Sequence, residues 1–189
     1  VIVSAARTPI GGLLGDFSSL QAWQLGAVAI KAAVERAGLI GKNAGEAVDE
    51  VLFGCCLMAG QGQAPARQAT LAAGLPQSAG AVTLSKMCGS GMRAMMFGHD
   101  MLVAGSANVI VAGGMVSMTN APHLLGGARK GWKYGAFTTF DHMALDGLED
   151  AYERGKAMGV FAEQCVAKYA FTREAQDRFA IASTERSLK

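Results

Sequence analysis

Four short apolar runs alternate with segments of helical pattern along the first two thirds of the chain, and this alternation constrains the fold more than any other feature. The runs are "VIVSAARTP" at the N-terminus, "VDEVLFGCCLM" from Val48, "GAVTLS" from Gly80 and "ANVIVAGGM" from Ala107. Each has the length of a strand, and the last is apolar without interruption, as in strands covered on both faces. Between the first two, "LQAWQLGAVAIKAAVERAGL" sets Leu25, Val28, Ala29, Ala32 and Ala33 at helical spacing, with Gly38 as a C-terminal stop. "APARQATLAAGLP" reads as a short helix opened by Pro65 and closed by Gly74 and Pro76. The segment from Gly89 to Gly105 is apolar on nearly every side, through Met92, Met95, Met96, Phe97, Met101, Leu102 and Val103. A helix of that kind is expected in the middle of a fold. The β-α-β-α-β-α-β order predicts an α/β architecture, a mostly parallel sheet with crossover helices.

The pattern changes after Ser117. "GGARKGWKYGAFTTFDHM" is glycine-rich, polar and aromatic, without a clear period. Two helical segments follow, "EDAYERGKAMGVFAEQCVAKYAF" and "TREAQDRFAIASTERSLK", the second with Thr172 as N-cap and Glu174 and Asp177 near its start. This places one domain over residues 1–118 and an incomplete, largely helical one over residues 119–189. The helical pattern running to Lys189 and the absence of an initiating Met predict a trimmed chain.

Composition excludes several classes of function. With 17 Lys and Arg against 15 Asp and Glu, the net charge is +2. The basic residues are scattered apart from Arg129, Lys130 and Lys133, which argues against nucleic-acid binding. No apolar run reaches the ~18 residues of a membrane span, and no signal-peptide pattern opens the chain. The cysteines are Cys55, Cys56, Cys88 and Cys165, with no CxxC and no zinc spacing to His99, His123 or His142. No metal site is expected. Reduced thiols and a cytoplasmic setting are, or an organelle matrix in a eukaryote.

One cysteine stands apart. In "VTLSKMCGSGMRAMM", Cys88 falls where a strand hands over to a helix, followed by Gly89, Ser90 and Gly91. A helix N-terminus favours the thiolate, and backbone N–H groups at such a corner can hold an oxyanion. The two glycines leave room for a bulky ligand beside the backbone, and Lys86 and Arg93 add positive potential. Local features alone leave two readings open, a nucleophile or a small buried hydrophobe.

Five segments narrow that choice. "VIVSAARTPIG", "GQAPARQATLAAGLP", "SKMCGSGMRAM", "VIVAGGMVSMTNAP" and "DGLEDAY…MGVFAE…TREAQDRFAIAS" together resemble the N-terminal half of thiolases, in the family's order and over the whole chain. The looser relatives, ketoacyl synthases, also set a cysteine at a helix start but are not expected to carry "PARQA" or "AGGM…SM…AP".

The resemblance implies a layered thiolase-like α/β fold with part of a helical loop domain. It implies an acyl-CoA acyltransferase that forms or cleaves 3-ketoacyl-CoA through a cysteine thioester, foremost an acetyl-CoA C-acetyltransferase. The alternatives are a degradative 3-ketoacyl-CoA thiolase and a non-catalytic acyl-CoA-binding half-protein. Cys88 matches the acyl-accepting nucleophile. Its backbone N–H is an expected oxyanion donor, with Gly89, Ser90 and Gly91 supporting the loop. Leu148 and Met158 match positions lining the CoA tunnel, and Arg67 and Gln68 match a segment near the dimer interface. The expected partners are acyl-CoA and free CoA, in a homodimer or homotetramer. Coenzyme A thioester enters as substrate, with no covalently bound cofactor.

In the family the activating histidine (Gly-His-Pro), a second cysteine (Cys-x-Gly-x-Gly) and a water-positioning Asn segment lie in the C-terminal half. None occurs in these 189 residues, so the C-terminal thiolase domain is expected to lie outside them and these residues alone to be inactive. The three histidines read as structural or surface residues, and Cys165 as packing. Two departures from the family pattern stand out. Ala157 precedes Met158 where many biosynthetic members have His, and Val116 stands where Glu is frequent; we have no physical account of the latter.

Overall fold

The computed structural model describes residues 1–39 and 47–188. The described chain divides by compactness into two units, Val1–Gly147 and Leu148–Lys189. The change in composition near residue 118 falls inside the first. There Asn120 Nδ2 donates to the carbonyls of Ser18 (3.1 Å) and Leu20 (2.9 Å), tying this segment back to the N-terminal loop.

The centre of the first unit is a parallel three-stranded sheet. Its strands are β1 (Glu50–Gly54), β2 (Gly80–Leu84) and β3 (Ile110–Gly114), in the order β2-β1-β3. The register sets Gly54 opposite Leu84 on one side and Gly114 on the other. The crossover between β1 and β2 is α2 (Pro65–Ala72), and that between β2 and β3 is α3 (Ser90–Val103); α1 (Ala22–Arg36) precedes the sheet. Asp49 joins the entries to β1 and β3, its carboxylate accepting from the N–H of Asn108 (2.6 Å) and Val109 (3.0 Å). These two bonds stabilise the anion and hold its pKa below the usual carboxylate value.

Alternation along β1 divides the side chains between two faces. Val51 and Phe53 face α1 and α2, and with Ile30, Val34, Ala66, Ala69 and Leu75 they form the core. Each large side chain buried there contributes about 1.5–3 kcal/mol relative to exposure. The buried stripe of α1 runs through Ala22, Gly26, Ala27, Ile30 and Val34, and Val28 points outward at 60% exposure. Leu52 and Ile110 face α3, lying beside Gly98.

Three helices of this unit stop in the same way. Gly38, Gly74 and Gly105 each adopt positive φ (+70°, +88° and +72°) just past the helix end. The following residue then bonds back across the last turn, Leu39 N–H to Val34 O, Leu75 N–H to Thr70 O and Ser106 N–H to Met101 O. This is the Schellman arrangement, and the left-handed turn it needs favours glycine.

Three expectations need correction. "VIVSAARTP" forms no strand: Val1, Ile2 and Val3 are 115%, 87% and 69% exposed. β3 pairs only with β1, and among the described residues its outer edge is left unpaired by this segment. Second, α3 is not buried all round. Only Ser90, Ala94 and Gly98 are buried, while Met92, Met95, Met96, Phe97 and Val103 are exposed. The helix lies on the sheet through a stripe of small residues, and within the described residues its bulky side chains lack a second layer. Third, the segment after Ser117 is not patternless. It forms a two-stranded antiparallel ladder, β4 (His123–Leu125) with β5 (Thr139–Asp141), and Trp132 stacks on Phe137 at 5.1 Å.

In the second unit, α4 (Met158–Tyr169) begins later than the helical pattern suggested. The preceding residues make a turn in which Asp150 accepts from Tyr152 and Glu153 N–H groups and Glu149 from Gly155 N–H. Carboxylates that bond nearby amides compete in this way with helix. The last helix, α5 (Arg173–Ser187), is capped as expected, Thr172 Oγ1 accepting from Ala175 N–H at 3.2 Å. Lys189, where the pattern was read as continuing, lies outside the described residues. Cys165 is exposed on α4, not packed.

Candidate active site

The C-terminal ends of β1 and β3 finish in glycine at matching register, Gly54 opposite Gly114. A Cβ on Gly54 would stand 2.5 Å from Ser90 Cβ and 2.9 Å from Ser90 C. A Cβ on Gly114 would meet Gly91 Cα at 3.5 Å, and one on Gly91 would meet the Gly113 backbone at 3.6 Å. The first turn of α3 therefore seats directly on the ends of two strands. At Gly54 only a residue without a side chain permits that approach; the contacts at Gly114 and Gly91 are close but ordinary.

Cys88 stands just before this turn, exposed to solvent, with Gly89 as the N-cap of α3. The residue before it, Met87, is held at φ +48°, a left-handed conformation disfavoured for a side chain with a Cβ. Gly89 N–H donates to Lys86 O (3.1 Å) and Ser90 N–H to Met87 O (3.1 Å). Among the described residues none hydrogen-bonds the Cys88 sulfur. Arg93, which was expected to lend charge to the corner, lays its guanidinium over the Phe97 ring at 4.4 Å.

Met87, Cys88, Ser90 and Gly91 line an apolar cavity of about 1180 Å³, bounded also by the N-terminal segment, the outer side of β3, Cys55 and Cys56. It exceeds the usual range for small-molecule pockets. Cys55 differs from Cys88 in exposure and in hydrogen bonding. It is 1% exposed, Gln61 Nε2 donates to its sulfur at 3.4 Å, and burial pushes its thiol pKa up. A buried thiol that stays protonated is a poor nucleophile.

The other anticipated site residues are placed as follows. Arg67 donates to the carbonyls of Ala79 and Gln77, the latter at 2.8 Å, fixing the approach to β2. Gln68 Nε2 donates to Gln61 O (2.8 Å) and Gln63 O (2.7 Å), holding the loop after β1 whose Cys55 and Cys56 line the cavity. Both side chains are thus engaged within the chain. In the second unit, the antiparallel bridge Glu149–Ala157 puts Leu148 and Met158 at the opposed positions beside it, 37% and 43% exposed.

Sequence reasoning missed three contributors: Gly54, Gly114 and the His142–Asp146 pair. The first two had a signal, since "VLFG" and "VAGG" are apolar runs that both end in glycine. His142 is 6% exposed; its Nδ1 pairs with Asp146 at 2.7 Å and its Nε2 accepts from Ala59 N–H at 3.3 Å. It pins the loop after β1, and the four-residue spacing to Asp146 was its only trace in the sequence.

The whole chain, residues 1–189, matches the family model of the thiolase N-terminal domain. The chain belongs to the thiolase family. It is 50% identical over 186 residues to a cytosolic acetyl-CoA acetyltransferase of Gibberella zeae, covering 98% of this chain and 46% of the relative. Acetyl-CoA acetyltransferases of Cupriavidus necator and Saccharomyces cerevisiae are 47% and 48% identical, over 99% and 100% of this chain and 46% of each relative. The thiolase chain thus spans about half the length of the curated relatives it matches. Among its described residues no helix is long and apolar enough to cross a membrane, and no group of three or more His, Cys, Asp and Glu is placed to hold a metal ion.

Proposed function

We propose that this chain is the nucleophile-bearing half of an acetyl-CoA acetyltransferase of thiolase type, with Cys88 as the acyl acceptor. The observation that carries the reading is the corner itself. An exposed thiol stands on a constrained turn, at the head of a helix seated on glycines, beside an apolar cavity. The similarity to three enzymes named acetyl-CoA acetyltransferase supports the choice of substrate.

In the first half-reaction the Cys88 thiolate attacks the thioester carbonyl of acetyl-CoA. A sulfur–carbon bond forms to Cys88, the bond to the CoA sulfur breaks, and CoA leaves as thiolate, which takes up the proton lost by Cys88. Thiolates suit this exchange because they are good nucleophiles and good leaving groups. The backbone N–H of Cys88 is the donor this reading assigns to the developing oxyanion, those of Gly89 and Ser90 being engaged by Lys86 O and Met87 O. In the second half-reaction another acetyl-CoA loses an α-proton, which in the net balance returns to the released Cys88 thiolate, and its α-carbon attacks the acetyl carbonyl of the enzyme thioester, breaking the carbon–sulfur bond to Cys88. The product is a 3-ketoacyl-CoA.

Contact of Leu148 and Met158 with the CoA arm belongs to the same reading, as do self-association as a dimer or tetramer near Arg67 and Gln68 and a domain boundary at 118/119. A cytoplasmic setting is part of this reading, supported by the Gibberella zeae relative, which is named as cytosolic.

The test is acetyl transfer from labelled acetyl-CoA, with the modified residue mapped by mass spectrometry. Label is expected on Cys88, and Cys88→Ala is expected to abolish it with unfolding stability within about 0.5 kcal/mol of the parent, as for surface substitutions. Label on another residue, or full labelling of the variant, would overturn the assignment.

A further inference from the structure

We infer that Ser90 is a positioning residue for Cys88, acting by holding Met87 in its left-handed turn. The inference rests on the reading of Cys88 as acyl acceptor. One buried hydroxyl brackets Met87 from both sides. Ser90 Oγ accepts from Lys86 N–H at 2.8 Å and donates to Met87 O at 2.6 Å. Ser90 is 5% exposed, and its Cβ is wedged against Gly54, so the hydroxyl has little freedom to point elsewhere.

The direction of these bonds is informative. Ser90 is the first residue of α3, and the N-cap, Gly89, has no side chain. A serine at the N-cap spends its hydroxyl on the helix's own first amides, whereas Ser90, one position inside the helix, is not the cap. This one turns backward, onto the two residues that precede Cys88. Helix capping does not require that arrangement, whereas fixing Met87 does, because φ +48° is disfavoured without support. Rotation at Met87 swings the Cys88 side chain relative to the N–H groups of α3. The serine thereby sets the angle at which the thiolate meets its carbonyl, and misplacement on the ångström scale is costly to rate.

The experiment is a double-mutant cycle in the intact protein: parent, Ser90→Ala, Met87→Gly and the double variant. Acetylation of Cys88 by acetyl-CoA is followed together with its alkylation by iodoacetamide across pH. In Ser90→Ala the maximal acetylation rate is expected to fall by about ten- to a hundredfold, with the half-saturating acetyl-CoA concentration within about threefold. The double variant is expected to recover at least about a third of the parent rate, because glycine enters the left-handed region freely. A role confined to folding would give no such rescue. Ser90→Ala within about twofold of the parent, or a double variant no faster than Ser90→Ala, would overturn the inference. Should Ser90→Ala fail to fold, the double variant decides. Cooperative unfolding with recovered Cys88 alkylation supports the inference, and failure of both to fold overturns it. If the parent itself is not acetylated at Cys88, the acyl-acceptor reading is what fails, and the alkylation rates still decide whether Ser90 governs Cys88.

Discussion

The two faces of the central sheet are built on opposite principles. Against α1 and α2 the strands present Val51 and Phe53, the helices answer with Ile30, Val34, Ala66 and Ala69, and Leu75 joins them from just past the end of α2. Against α3 they present Leu52, Ile110 and two glycines, and the helix answers with Ser90, Ala94 and Gly98, turning Met92, Met95 and Met96 outward. One face obtains stability from bulk. The other brings backbone against backbone, which buries little apolar surface but fixes where the head of α3 lies. The thiol sits on the second face because position, not buried area, is what a nucleophile needs.

The strongest way to break this comparison is to remove bulk from the first face and from the outward side of the helix that covers the second. Ile30→Ala is expected to cost about 2–5 kcal/mol, read as a lower denaturation midpoint at unchanged slope. Met92→Ala, on the outward side of α3, is expected to stay within about 0.5 kcal/mol in the 189-residue chain. Equal costs would mean that the faces do not differ as described. The converse substitution adds bulk. Gly54→Ala drives a methyl into Ser90 and is expected to cost about 1–3 kcal/mol. It should also depress Cys88 acetylation out of proportion to the lost stability.

Two smaller effects depend on pH. Cys55 has a raised thiol pKa because it is buried. The unfolded chain therefore ionises this thiol first, and its contribution to stability, complete below about pH 8.5, is lost as pH rises through the folded value. In Cys55→Ala, as a background, the decline of the denaturation midpoint above that pH should be shallower. Asp49 has the opposite sign. Its pKa is lowered by the Asn108 and Val109 N–H groups, so its contribution is present above about pH 3.9 and is lost as pH falls through the folded value. The midpoint of Asp49→Asn should lie slightly below the parent's at neutral pH and meet it at strongly acidic pH. A gap that persists in acid would mean that the charge is not what matters.

Much of this was legible in the sequence, and the failures share a cause. Strands β1, β2 and β3, helices α1, α2 and α3, and the cap at Thr172 follow from local pattern and turn chemistry. The corner at Cys88 was legible from its glycines. "VIVSAARTP" and the outer side of α3 were misread because apolar sequence reports a need for burial without saying what supplies it. Gly54 was overlooked because its significance lies in the distance to Ser90, 36 positions later. The left-handed turn at Met87 had no signature, since a methionine at positive φ is held there by its neighbours and not by its own preference.

The glycine stops at Gly74 and Gly105 have a consequence for how the sheet finds its pairing. A helix that overran by a single turn would carry the next segment about 5.4 Å along its axis, more than the 3.3 Å repeat of a strand. A slip of one residue exchanges the two faces of a strand. By ending their helices at a defined residue through local geometry, Gly74 and Gly105, five or six positions before β2 and β3, act as length gauges that limit how far the strand that follows can slip.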